Sequence, residues 1–309
     1  MLLFVALLAG LLALTNASPI GRPRDEQQVC NGSADVCSRK YSDMSFIGTH
    51  NSAFVGDIDD LRVNQRLSVT EQLDAGVRFL QAQMHRDDFG RLSMCHTSCW
   101  LFYAGSLEDY LKTIKTWLAS HSDAVVTLLL TNGDSVSASD IGDVVKSTGL
   151  KDYAFVPSSS PKRLAMSDWP TLGDMVSNDS RFVMFLDYGA DESSTPFILD
   201  EFHYFFETPY DVTDPSFSQC SIDRPPNAKP DDRMYIVNHF LDKEVFGSDD
   251  VLVPDTDANF ETNAATGPGS IGAQVGRCEE KHGRTPNVVL LDMFDRGNWM
   301  DAQVAMNAS

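Results

Sequence analysis

Short apolar runs rich in β-branched and aromatic residues recur along the chain and are separated by more polar stretches. Eight of these runs have the length and composition of buried strands. They cover residues 45–50, 77–84, 91–96, 124–131, 181–188, 203–207, 233–240 and 287–294. The run at 203–207 is the weakest of the eight.

Helical patterns lie between many of these predicted strands. The clearest is SLEDYLKTIKTWLASH at 106–121, where leucine and isoleucine side chains share one face and Ser106 is placed as an N-cap. Weaker patterns cover 68–76, 137–148, 171–178 and 298–307. Strands that alternate with helices indicate a parallel sheet. Eight of them predict an α/β fold of the TIM type, a closed (β/α)8 barrel.

Two long stretches, 207–233 and 247–268, show no clear periodicity. We interpret both as excursions over the barrel rather than as domain linkers, so residues 18–309 form one domain. The first 17 residues, MLLFVALLAGLLALTNA, are typical of a signal peptide, although no Lys or Arg precedes the apolar run. A membrane anchor is the alternative, but the run is short for a span of roughly 20 residues. We therefore expect cleavage near Ala17 and a secreted, extracellular protein without a stable membrane anchor.

The formal net charge of −20 narrows the classes of partner. A strongly acidic surface repels nucleic acids and anionic membranes, so we expect no nucleic-acid partner. We interpret the acidity as a source of solubility and expect a monomer.

Six cysteines in a secreted chain predict disulfide bonds. The simplest pairing joins near neighbours and leaves the last two to each other, although other connectivities remain open. The pairs are Cys30 with Cys37, Cys95 with Cys99, and Cys220 with Cys278. A zinc site is the weaker alternative, because the spacing lacks paired short motifs. Asn31, Asn178 and Asn307 begin N-glycosylation sequons.

Polar residues stand where the predicted strands end. They are His50, His96, Thr131, Asp187, Asn238, His239 and Asp292. In a β/α barrel the carboxyl ends of the strands form the active-site face. Each residue alone is compatible with an ordinary turn, but together they predict a functional site.

Several stretches resemble the secreted fungal members of the phosphatidylinositol-specific phospholipase C X-domain phosphodiesterases. The matching segments are IGTHNSAF, GVRFLQAQMH, LSMCHTSC, SLEDYLKTIKTWL, AVVTLLLTN, VMFLDY, YIVNHF and NVVLLDMFD. The resemblance runs from about Cys30 to the end of the chain and rests on the order and spacing of the segments. It implies a distorted barrel and a phosphodiester substrate such as a phospholipid or its soluble head-group product.

The resemblance also implies roles for two histidines. His50 matches the general base, which takes a proton from the hydroxyl that attacks phosphorus. His96 matches the general acid, which protonates the leaving oxygen. Asp292 is our candidate for orienting His50, with Asp295 as its rival.

The sequence departs from the family at the positions that supply positive charge. Asn51 matches a calcium ligand, but Gln81, Gln83 and Thr131 stand where calcium-dependent members have acids. Calcium prefers about six to eight oxygen ligands, several of them charged. We therefore expect no metal site and no required cofactor, although a weakly held divalent cation, Ca²⁺ or Mg²⁺, is compatible with this set. Metal-independent members have an arginine where Gln83 stands.

Further side chains are candidates for substrate contacts. The strand period places Gln81, Gln83 and His85 on one face, and Arg86 follows at the rim, either turned inward or in solvent. Asp187 would repel a phosphorylated head group. Asn238 and His239 complete the candidate set, His239 being also typical of a structural histidine.

Two other functions compete with a phosphodiesterase. A barrel that keeps both histidines but has lost the chemistry would serve as a secreted binding protein. A hydrolase with Ser52 as nucleophile is disfavoured, because no Gly-x-Ser-x-Gly motif surrounds that serine. Aromatic side chains after Cys99, namely Trp100, Phe102 and Tyr103, could form a small apolar lip.

Overall fold

The computed structural model describes residues 28–245 and 248–308. The predicted signal peptide therefore lies outside the described residues. The strands are β1 Phe46–Thr49, β2 Phe79–Arg86, β3 Leu92–Cys95, β4 Tyr103–Ser106, β5 Val126–Asn132, β6 Phe182–Leu186, β7 Leu199–Asp200, β8 Phe205–Glu207, β9 Met234–Asn238, β10 Asp242–Val245, β11 Ser248–Pro254 and β12 Val288–Leu291. The α-helices are α1 Val69–Asp74, α2 Leu107–Ser120, α3 Ala138–Ser147, α4 Leu172–Ser177, α5 Glu201–Tyr204, α6 Asn259–Thr262, α7 Ile271–His282 and α8 Trp299–Asn307.

Eight parallel strands form one curled sheet in the order β7-β6-β5-β2-β1-β12-β9-β8. All eight predicted strands are present, seven of them in this parallel order and the eighth as β3, which pairs with β2 beside it. The predicted distorted TIM-type barrel is confirmed. The prediction that the barrel is closed was wrong. Within the described residues β7 and β8 do not pair, because the short helix α5 connects them directly. The result is a half-barrel that is open at one side.

Strand β3 departs from the parallel arrangement that its sequence pattern predicted. It pairs antiparallel with β2, and β4 pairs antiparallel with β3. The connection from β2 to β3 is a tight turn in which the Asp87 N–H donates to the Arg91 carbonyl at 2.9 Å. A parallel return needs a crossover of a dozen or more residues, so this short turn permits only a hairpin. The end of β3 consequently points back toward the barrel mouth.

Alternation along the strands separates two apolar layers. Phe46, Leu129 and Leu290 belong to the cluster inside the curled sheet, while the next residues on their strands pack outward against the helices. Gly48 on β1 lies so close to its neighbours that a Cβ there would meet Leu290 at 2.9 Å. The tight contact of β1 with both neighbouring strands therefore requires glycine at this position.

The five predicted helices are present as α1, α2, α3, α4 and α8. Helix α7 was not predicted, since Gly272 and Gly276 weaken its helical pattern, but Ser270 caps its first turn. The stretch 247–268 contains strand β11, which was not predicted and which forms an antiparallel hairpin with β10, just before the stretch.

Three disulfide bonds join the predicted pairs. They are Cys30–Cys37, Cys95–Cys99 and Cys220–Cys278. Among the described residues, none of the helices combines the length and the hydropathy that crossing a bilayer requires.

Candidate active site

A cavity of about 880 Å³ opens at the carboxyl ends of the barrel strands. Its wall combines residues from the strand ends with residues from the loop at 59–64 and from the β10–β11 hairpin. His50, Asn51, Gln81, Gln83, His96, Thr131, Asp187 and Asn238 all line it. The structure therefore brings most of the sequence-predicted site residues to one place.

His50 follows β1, and Asp292 follows the neighbouring strand β12. The register of these strands pairs Thr49 with Leu291, so the two side chains start from adjacent positions. His50 Nδ1 lies 2.8 Å from Asp292 Oδ1. A carboxylate can only accept, so the Nδ1–H donates and Nε2 keeps its basic lone pair.

Packing and hydrogen bonds fix this histidine in place. Its ring stacks on Phe240 with 3.7 Å between the ring centres. The Asn64 side chain donates to Asp292 Oδ2 at 3.1 Å, and the Gln65 side chain donates to the His50 carbonyl at 2.7 Å. Asp292 is 1% exposed, so its negative charge acts on His50 through little solvent.

His96 follows β3 and is held by a different set of contacts. Its Nδ1–H donates to the Arg62 carbonyl at 2.7 Å, and its ring stacks on Phe54. Burial lowers the pKa of His96; the bond to Arg62 opposes this shift and the nearby His50 adds to it. The disulfide Cys95–Cys99 encloses the residue and restricts its loop.

Asn51 connects the two histidines. Its side-chain nitrogen lies 3.4 Å from His96 Nε2, and its backbone adopts a left-handed φ of +48°. Its Oδ1 is buried and has no hydrogen-bond partner among the residues that the structure describes. An unpaired buried acceptor that lines a cavity indicates a place for a donor from a ligand.

Gln81 and Gln83 anchor the loops that carry the histidines. Gln81 Oε1 accepts the Asn51 backbone N–H at 2.8 Å, and its Nε2 donates to the Thr131 hydroxyl at 2.9 Å. Gln83 Oε1 accepts the Thr97 backbone N–H at 2.8 Å. The amides on β2 therefore hold one loop each.

Two arginines that the sequence analysis did not select also line the cavity. Arg224 pairs with Glu207 and lies 4.5 Å from the centre of the Tyr210 ring. Burial acts to lower the pKa of Arg224, but the charges of Glu207 and Glu201 outweigh it and the pKa is raised. Arg62 pairs with Asp60 at 2.6 Å. Both guanidinium groups remain charged and each already has a carboxylate partner.

Carboxyl groups are the most abundant charged groups of the cavity wall. Burial raises the pKa of Asp187 to about 6, although the hydrogen bonds that it accepts from the Asn132 and Tyr188 N–H groups act to lower it. Burial, reinforced by Asp292, raises the pKa of Asp242 to about 7. Burial and the adjacent Glu207 raise the pKa of Glu201 well above its ordinary value. The protonation of Asp187 and Asp242 therefore changes near neutral pH.

The PI-PLC X 1 family profile matches residues 36–307. The chain belongs to the PI-PLC X family. A PI-PLC X domain-containing protein 1 of Arthroderma benhamiae is 49% identical over 299 residues, which cover 96% of this chain and 95% of that protein. An uncharacterized secreted protein of the same fungus is 40% identical over 94% of this chain, which spans 65% of that relative.

A solved structure agrees with the family assignment at the level of the fold. The phosphatidylinositol-specific phospholipase C from Listeria monocytogenes superposes with a TM-score of 0.55 and 14% sequence identity. The match covers 88% of this chain and 95% of that enzyme.

The PI-PLC X family includes calcium-dependent members, and the residues here do not fit their metal site. Gln81, Gln83 and Thr131 already make the hydrogen bonds described above. Asn51 Oδ1 alone offers an unpaired oxygen from this set. Among the described residues, no group of three or more His, Cys, Asp or Glu side chains is arranged to hold a metal ion. The reaction proposed below therefore has no calcium-dependent step.

The structure places three of the residues predicted to contact substrate outside the cavity wall. His85 bonds to Asp134 at 2.9 Å, and Arg86 pairs with Asp140. His239 is fully buried between Gln274 and the Thr262 carbonyl. Their polar atoms serve the loops and the core, so we do not carry these three residues into the proposed mechanism.

The structure also separates the rival candidates from the histidines. Asp295 pairs with Arg66 at 2.7 Å, whereas Asp292 contacts His50. Ser52 is fully buried and bonds to the Tyr110 hydroxyl at 2.8 Å. In the part of the chain that the structure describes, no imidazole therefore contacts the serine that the alternative hydrolase would use.

Some residues of the site had little sequence signal. Arg224 and Asp211 lie in the aperiodic stretch 207–233, and Asp242 follows a predicted strand by a few residues. Phe240 ends the YIVNHF segment beside His239, but it stacks on His50, so this contact was not predictable from the sequence.

Proposed function

We propose that this chain is a secreted phosphoric diester hydrolase of the phospholipase C type. The observation that carries the proposal is the pair of imidazoles that face one cavity, each held at Nδ1 by an acceptor and joined through Asn51. Two positioned imidazoles can share the base and acid roles near neutral pH.

In the proposed reaction His50 Nε2 takes the proton of the attacking hydroxyl, which belongs to water or to the head group. The hydroxyl oxygen forms a bond to phosphorus, and the bond from phosphorus to the leaving oxygen breaks. His96 acts in its doubly protonated form, with Nδ1–H on the Arg62 carbonyl, and gives its Nε2 proton to that leaving oxygen. Asp292 stabilises the imidazolium that forms on His50. Arg62 and Arg224 are the cavity cations that can balance part of the charge on phosphorus.

Several broader features support the same proposal. The three disulfides and the secreted relative support an extracellular location, together with the predicted signal peptide. We propose a phospholipid or its soluble head-group product as substrate, a monomeric protein and no obligatory cofactor. A weakly bound divalent cation at Asn51 Oδ1 is compatible with this scheme.

A catalytically weakened barrel that serves as a binding protein is the second candidate. It is favoured by the excess of carboxyl groups in the cavity, which opposes an anionic phosphodiester.

Turnover of phosphodiesters by the purified protein, with and without chelator, separates the two candidates. On alkyl phosphodiesters we expect turnover that His50→Ala and His96→Ala each lower by a factor of about 10² to 10⁴. His203→Ala should leave it intact, since the His203 side chain is 60% exposed. Alkyl phosphodiester turnover that keeps its rate in both alanine variants would overturn the assignment. Absence of turnover on every phosphodiester would favour the binding protein.

A further inference from the structure

One part of the cavity wall is crowded with carboxyl groups that the proposed reaction does not use. They are Asp187, Glu201, Glu207, Asp211 and Asp242. Arg224 lies among them and pairs with Glu207. Four of these acids interact with this arginine, and Asp242 lies next to Asp211, so the wall has an excess of negative charge when the acids are ionised. A ligand that brings positive charge would offset it.

Glu201 supplies an independent sign that a ligand belongs there. It is 1% exposed and lines the cavity, and within the described part of the chain its Oε1 has no hydrogen-bond partner. Burial, together with the neighbouring Glu207 carboxyl, raises the pKa of Glu201 well above its ordinary value. A buried acceptor without a partner is costly until a ligand or water supplies a donor.

We infer that this wall is a subsite for the ammonium group of an amino-alcohol phosphodiester, which names a substrate class for the proposed phosphodiesterase and rests on that function. An ammonium group brings N–H donors for Glu201 Oε1 and a positive charge for the surrounding carboxylates. A neutral polyol supplies donors but leaves the charge uncompensated. A head group with a second phosphate adds to the negative charge.

Aromatic side chains fit the same class of ligand. Tyr210 and Phe240 line the cavity beside Asp211 and Asp242. Aromatic faces next to carboxylates stabilise the carbon atoms attached to an ammonium nitrogen. The wall thus offers both charge and an apolar surface to a small amine.

The test compares two soluble phosphodiesters that differ by one group. Glycerophosphoethanolamine carries an ammonium, and glycerophosphoethylene glycol carries a hydroxyl in its place. Calorimetry at neutral pH and low salt should show about tenfold tighter binding of the ammonium compound, the scale of a charged hydrogen bond. Asp187→Asn and Glu201→Gln should each reduce that ratio severalfold. Glu108→Gln, a surface change on α2 with a side chain 49% exposed, should leave it unchanged.

Each outcome decides between specific alternatives. Equal affinity for the two compounds would overturn the subsite, as would a preference that both cavity variants retain while folded by circular dichroism. Glycerophosphocholine has no N–H donor and should bind less tightly than the ethanolamine compound. Mass spectrometry of the same samples reports hydrolysis separately. An ammonium preference without hydrolysis supports the subsite and argues against the phosphodiesterase, whereas hydrolysis without the preference argues against the subsite alone.

Discussion

The side-chain nitrogen of Asn51 lies 3.4 Å from His96 Nε2, although Asn51 follows His50 directly in the chain. The residue that follows one imidazole in the chain therefore contacts the other, which reaches the cavity from a different strand. Its backbone N–H is held by Gln81, and its left-handed φ is one that asparagine tolerates better than most residues. The separation of base and acid is thus set by the loop after β1.

The contact between His50 and Asp292 predicts a selective effect of removing one negative charge. Asp292→Asn should lower kcat/KM by a factor of about 10² to 10⁴, because the imidazolium loses its partner and the tautomer is no longer fixed. Asp295→Asn is the matched control, since Asp295 pairs with the exposed Arg66 rather than with His50. We expect less than about a threefold change for it. Similar losses in both folded variants would contradict the orienting role of Asp292.

The disulfide beside His96 predicts an effect on activity that a distant disulfide lacks. A variant with Cys95→Ala and Cys99→Ala should unfold more easily by about 2 kcal/mol or less, because the closed loop is short. Its kcat should also fall under conditions in which the variant is still folded, since the loop that positions His96 is freed. The control variant with Cys30→Ala and Cys37→Ala should lose stability but keep its kcat. Peptide mapping without reductant that finds free thiols at Cys95 and Cys99 would show that the bond is absent.

The sequence pattern located the strands well because each is a short apolar run with distinct ends. It could not show the direction of β3, which depends on the length of the turn at Asp87–Arg91 rather than on the strand itself. His96 reaches the rim even so, since a hairpin strand that runs back ends near the mouth of the barrel. The predicted position of His96 at the barrel mouth therefore agrees with the structure, but the parallel strand direction behind the prediction was wrong.

Side-chain pairing explains why other site residues were misplaced or missed. His85 and Arg86 lie at the end of β2, as predicted. His85 pairs with Asp134 and Arg86 pairs with Asp140, so neither side chain lines the cavity. Arg224 comes from a loop, and Glu207 fixes it at the cavity wall. Such long-range ion pairs depend on the whole fold, so periodicity along one strand carries no information about them.

The engaged amides on β2 predict weak or no binding of calcium. Calorimetry should detect no micromolar affinity for Ca²⁺, because Gln81 and Gln83 use their oxygens on backbone N–H groups. Added chelator should leave turnover within about twofold of its original rate, since no step depends on a metal. Micromolar binding that Asn51→Ala abolishes would show that these ligands had been misjudged.

The raised pKa of Asp187 predicts how stability depends on pH. Its pKa of about 6 in the folded chain exceeds the ordinary value of 3.8, so the folded state binds more protons between these values. The contribution of Asp187 to the free energy of unfolding is therefore fully present below pH 3.8 and is lost as the pH rises through 6. The free energy of unfolding of the wild type relative to Asp187→Asn should fall by an amount on the order of 3 kcal/mol from pH 3.5 to 7.5.

Thermal and urea unfolding at several pH values would measure this difference. Asp143→Asn is the control, since the Asp143 side chain is 70% exposed and lies on α3. Asp242→Asn should show the same trend as Asp187→Asn, with a window that extends to about pH 7. A difference between wild type and Asp187→Asn that stays constant with pH would contradict the raised pKa.

The proposed role of His96 predicts a dependence on the leaving group. An alkoxide is a poor leaving group and needs a proton in the transition state, whereas a nitrophenolate leaves readily without one. His96→Ala should therefore lose a factor of about 10² to 10⁴ on an alkyl phosphodiester and much less on the nitrophenyl analogue. His50→Ala should lose a similar factor on both, because the nucleophile needs activation in either case. Thermal unfolding of each variant separates a catalytic loss from a folding defect, since His96 packs on Phe54. A folded His96→Ala that is equally impaired on both substrates would mean that another group supplies the proton.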